Sequence, residues 1–144
     1  MMNYLQIDWY PDDDWNDEIR VDMVSDGFTA KGGAYYAHRA FLVDFGKDLD
    51  RYPIEPGKEP ELFIGYGRQI VGVKEAVFDI PELRIRIEPV DKRGGLIVAA
   101  LIKDSIGGQS AELRMETSYG ALQAFREQLR AADGAPMHGT ARLE

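Results

Sequence analysis

The chain is 144 residues long, 44% hydrophobic and 29% charged, with a net charge of −8 and no cysteine. A chain of this length supports one hydrophobic core, and the composition is that of a folded soluble protein and not of a disordered one. Disulfides, thiolate metal sites and cysteine nucleophiles are excluded outright. The acid excess also opposes the basic surface that phosphate backbones require, so no nucleic-acid partner is expected.

The longest apolar run, residues 96–102, is too short to span a bilayer. The opening Met1-Met2-Asn3-Tyr4 lacks a basic region followed by an apolar stretch, so a cytoplasmic location is expected.

In chain order, strand signals come first. Tyr4, Ile7 and Trp9 lie in a β-prone opening segment, and Ile19, Val21 and Met23 alternate with Arg20 and Asp22. Ser25-Asp26-Gly27 then turns the chain, because glycine accepts positive φ without steric cost, and Phe28 and Ala30 begin a return strand. After Gly32-Gly33 the period changes to that of a helix, with Tyr35, His38, Phe41, Leu42, Phe45 and Leu49 on one face of residues 34–50. Pro53, Pro56, Gly57 and Pro60 end that helix in a stiff connection.

Leu62, Phe63, Ile64 and Tyr66 suggest a short strand and residues 76–80 another. Leu83, Ile85 and Ile87 alternate with Arg84, Arg86 and Glu88, as in a strand with one dry and one wet face. Residues 96–102 are apolar throughout, the pattern of a central strand buried on both faces, and Leu113 and Met115 alternate with charged neighbours. Thr117 or Ser118 caps a second helix with the face Leu122, Phe125, Leu129, which stops at Asp133-Gly134.

The expected fold is therefore α+β: one antiparallel sheet of about six to eight strands with two helices packed on it. The shared spacing of Leu42-x-x-Phe45-x-x-x-Leu49 and Leu122-x-x-Phe125-x-x-x-Leu129 points to two ββα-like halves. Residues 1–132 form this single domain. Residues 133–144 are expected to be a flexible tail, with Leu143-Glu144 a candidate vector remnant.

The most unusual segment is Asp12-Asp13-Asp14-Trp15-Asn16-Asp17-Glu18. As a calcium loop it fails, because Asp17 stands where the sharp-turn glycine belongs and Met23 where a bidentate glutamate belongs. Two readings stay open: a solvated loop whose tryptophans tuck inward, or a negative surface in which Asp12, Asp13, Asp14, Trp15, Asp17 and Glu18 meet a basic protein partner. His38 is the one histidine inside an expected element and reads as a packed core residue or, alternatively, as the base of a small enzyme. His138 lies in the tail and is given no role. Gly65-Tyr66-Gly67 lacks the third glycine of a dinucleotide fingerprint, and no Gly-Lys-Ser/Thr occurs. No catalytic residue, metal or cofactor is expected; a small-ligand module with a pocket between sheet and helices is a further alternative.

The order of these elements resembles the WapI-like immunity proteins. The residues that carry the resemblance are Ser25-Asp26-Gly27-Phe28, Leu42, Phe45 and Leu49, Arg93-Gly94-Gly95-Leu96, and Leu122, Phe125 and Leu129, within residues 17–132. The resemblance implies a protein that binds and neutralises a cognate bacterial toxin without a cofactor. It carries over no site residues, and the acidic segment is assigned to the toxin-facing surface on charge alone.

Overall fold

The first hairpin forms where Asp-Gly places it. Strand β2 (Asp17–Ser25) runs into β3 (Phe28–Ala37) through Asp26 and Gly27, both at positive φ (50° and 87°), with Ser25 paired to Phe28. The computed structural model describes residues 2–11, 17–68, 77–90, 94–104, 108–133 and 137–144, except the side chains at 35, 36, 66–68 and 77–80.

Ahead of that hairpin, β1 (Tyr4–Pro11) pairs antiparallel with β2, and its alternation sends Leu5, Ile7 and Trp9 into the core. After β3 comes α1 (Arg39–Asp48), which buries Leu42 and Phe45. A meander of β4 (Glu61–Arg68), β5 (Val77–Pro89), β6 (Leu96–Asp104) and β7 (Gln109–Thr117) follows, then α2 (Tyr119–Leu129) and a 3-10 turn at Arg130–Ala132. The last element, β8 (Gly139–Leu143), returns to pair with β1.

The strands form two antiparallel sheets, β3-β2-β1-β8 and β4-β5-β6-β7, so the expectation of one sheet is corrected to two four-stranded ones. Both surround one core with the two helices. Counting β8 ahead of β1, each half is a four-stranded meander followed by a helix, a larger unit than the ββα read from the sequence. The sheets meet where β3 crosses β6: a Cβ at Gly32 would lie 2.4 Å from the Lys103 carbonyl oxygen. Ser25 Oγ donates to the Arg114 carbonyl and ties β2 to β7.

Four boundaries differ from the sequence reading. The first helix begins at Arg39, because residues 34–37 stay in β3, where Ala34 and Ala37 pair with Ile19 and Asp17. The segments read as two strands at 76–80 and 83–88 are one, β5, with register shifts opposite Gly65 and Gly67. Strand β6 fully buries only one face, while Ile97, Ala99 and Leu101 on the other are half-buried. The supposed tail contains β8, whose Ala141 and Leu143 are fully buried, so Leu143 is a core residue.

Candidate functional site

Strand alternation makes the outer face of the first sheet polar. Gln6, Asp8 and Tyr10 of β1 lie beside Asp22, Arg20 and Glu18 of β2, in register, and on the other side Thr140 of β8 faces Asp8. The face holds a groove of about 350 Å³ lined by Asp8, Tyr10, Glu18, Asp22, Lys31 and Lys103 among others.

Asp8 is the centre of this surface, only 8% exposed. Its Oδ1 accepts from the Thr140 hydroxyl and lies 3.3 Å from His138 Nε2, while its Oδ2 accepts from Gln6 Nε2 at 3.1 Å. Burial pushes the Asp8 carboxyl up, but the hydrogen bonds from Thr140, Gln6 and His138 outweigh it and hold the pKa below the ordinary aspartate value. The His138 ring stacks on Tyr10, with centroids 4.4 Å apart and planes 3° apart. Arg20 covers Tyr10 at 5.1 Å and binds Glu18 at 2.6 Å, and Lys31 lies 3.8 Å from Asp22.

A pH dependence follows. A carboxyl whose folded pKa is depressed stabilises the fold above its unfolded pKa, and loses that contribution as pH falls through the folded value. The urea midpoint of Asp8→Asn should therefore lie below that of the parent chain at about pH 6, and the gap should close below about pH 4. A gap that stays constant over this range would show that the Asp8 charge is not what the hydrogen bonds stabilise.

Of the sequence-derived site residues, Asp17 and Glu18 are among those described. Asp12, Asp13, Asp14 and Trp15 lie outside the described residues; their segment joins β1 to β2, whose flanking residues Pro11 and Asp17 are paired. Asp17 is buried at 2% exposure: its Oδ2 accepts the Arg39 backbone N–H at 2.8 Å and lies 3.3 Å from Arg39 Nε. It acts as a second cap of α1, a favourable place for an anion at a helix N-terminus, and is withdrawn from the surface. Glu18 does line the groove.

His38 is exposed and caps α1, its Nδ1 accepting the Ala40 N–H at 3.0 Å, in place of the packed position mid-helix that the periodicity suggested. Sequence reasoning missed Asp8 and His138, which stand 130 positions apart and meet only through β8. The available signal was the alternation of Thr140 and Arg142 with Ala141 and Leu143. Among the described residues no helix is long and apolar enough to cross a membrane, and no three or more His, Asp or Glu side chains gather as a metal site.

No family model matches the sequence, and no curated protein matches it. Among solved structures the chain is similar to WHY3 from Arabidopsis thaliana at 9% identity and a TM-score of 0.48, over 92% of this chain and 82% of that one. The exclusion of nucleic acid read from net charge is corrected here. It rested on a sum over the whole chain, whereas contacts are local: the groove carries Arg20, Lys31 and Lys103, and the outer face of the second sheet carries Arg84, Arg86 and Arg114. The likeness to WHY3 lends that exclusion nothing, and nucleic acid stands as a partner class to be tested.

Proposed function

We propose that the chain is a non-catalytic binding protein of the immunity type, which acts in the cytoplasm and neutralises a basic toxin domain through the outer face of its first sheet. The observation that carries this reading is Asp8, a largely buried carboxylate kept ionised by three side chains, with Glu18 and Asp22 beside it in one groove. An anion already stripped of most of its water is a ready counter-charge for a lysine or arginine brought by a partner. The net charge of −8 steers a cationic partner from a distance.

The test is co-expression with the product of the adjacent gene, where this reading expects a toxin, followed by association kinetics on the purified pair. The parent chain should relieve growth arrest. Asp8→Asn combined with Glu18→Gln should slow association by about tenfold at low salt, with the difference shrinking as salt rises. Unchanged neutralisation and kinetics in the double variant would remove the groove from the interface. Capture of a single-stranded oligonucleotide at the groove, with no effect on the toxin, would replace the reading.

A further inference from the structure

The outer face of β6 poses a separate question. Its residues are apolar at every position from 96 to 102, yet Ile97, Ala99 and Leu101 are only half-buried, and no element packs on this face among the described residues. An all-apolar strand is the mark of burial on both faces. Here the second face is a shallow trough of about 290 Å³ between charged rows on β5 and β7.

The register gives those rows an order. Arg86, Ala99 and Arg114 lie abreast on β5, β6 and β7, and one step along lie Glu88, Ile97 and Glu116. A two-fold axis running across the strands between these two ranks would bring each rank over the other in a second copy. Arg86 then meets the partner's Glu88, Arg114 meets the partner's Glu116, and Ala99 packs on the partner's Ile97. Each contact occurs twice, as a two-fold interface requires.

The same operation sets Leu101 over the partner's Gly95, beside the exposed Val90 that follows β5, and Arg84 over Val90 itself. A dry centre with a charged rim is the usual anatomy of a protein interface.

We infer that the second sheet is a homodimer interface, with two copies stacked face to face across Ile97 and Ala99 in the register that opposes Arg114 to the partner's Glu116. Light scattering and sedimentation equilibrium of the full chain test it at low salt. The parent chain should have twice the chain mass. Ala99→Glu, which puts a charge in the dry centre, should raise the dimer dissociation constant by about tenfold or more.

Arg114→Glu puts acids at both 114 and 116 of β7, and Glu116→Arg puts bases at both. Each alone should be monomeric, and an equal mixture should form a dimer, which also shows that both variants are folded. A monomeric parent chain would overturn the interface. So would a dimer that survives Ala99→Glu, or variants whose mixture fails to associate.

Discussion

Removal of residues 139–144 leaves a chain that is largely unfolded at room temperature. The segment supplies Ala141 and Leu143, both fully buried, and the ladder from Leu5↔Leu143 to Trp9↔Gly139. Gly139 also roofs the Trp9 indole, since a Cβ on it would fall 2.2 Å from the ring. Leu143→Ala alone should cost about 3 kcal/mol, through lost transfer energy and the cavity left behind. The whole strand also takes its backbone hydrogen bonds and uncovers a tryptophan, so the loss exceeds about 5 kcal/mol, comparable to the entire stability of a typical domain. Thermal melts by circular dichroism and the tryptophan emission wavelength report it. A truncated chain with an unshifted cooperative melt would show that β8 is an accessory to the core.

Gly32→Val should lower stability by about 3 kcal/mol, with a fall in melting temperature of about 10 °C. The cause is contact, not backbone conformation. A side chain at Gly32 meets the Lys103 carbonyl oxygen at 2.4 Å and Ile102 Cγ2 at 2.7 Å, where β3 crosses β6, and the carbonyl belongs to a strand held on both sides. Gly57→Ala is the control: its φ is 88° but nothing stands within 4 Å, so only the conformational cost of about 1 kcal/mol applies. Equal melting temperatures for the two variants would mean that the sheets can separate at the crossing.

What the sequence made legible was local. The Asp26-Gly27 hairpin, the Ser118 cap and the face Leu122, Phe125, Leu129 all follow from a few adjacent residues, and all are found in place. Ser118 Oγ accepts the Ala121 N–H at 3.1 Å, the bond that a serine at that position is suited to make. Tyr35 and His38 fit a helical period as well, but strand pairing of Ala34 and Ala37 with β2 prevails over the period there.

What stayed hidden depends on pairing across the chain. Strand alternation tells which face is dry and not which strand lies beside which, so two sheets could pass for one. Asp17 reads as one acid among six in residues 1–20, and only the packing of β2 against the start of α1 turns it inward. Asp8 and His138 carry no joint signal in one sequence, because a strand of five residues at the far end of the chain brings them together. Of the two described members of the sequence-derived surface, Glu18 is the one that the alternation of β2 points outward into the groove.

The return of β8 to β1 sets a schedule for biosynthesis. Of the described strands β1 is made first, and β8, which completes its sheet, is made last. The second meander with α2 consists of neighbours in sequence and can begin to form while translation proceeds, whereas one side of β1 keeps open backbone groups until Leu143 has emerged. A pause or stop between the codons of α2 and those of β8 would therefore leave nascent chains with a bare strand edge, the template on which β-aggregates grow.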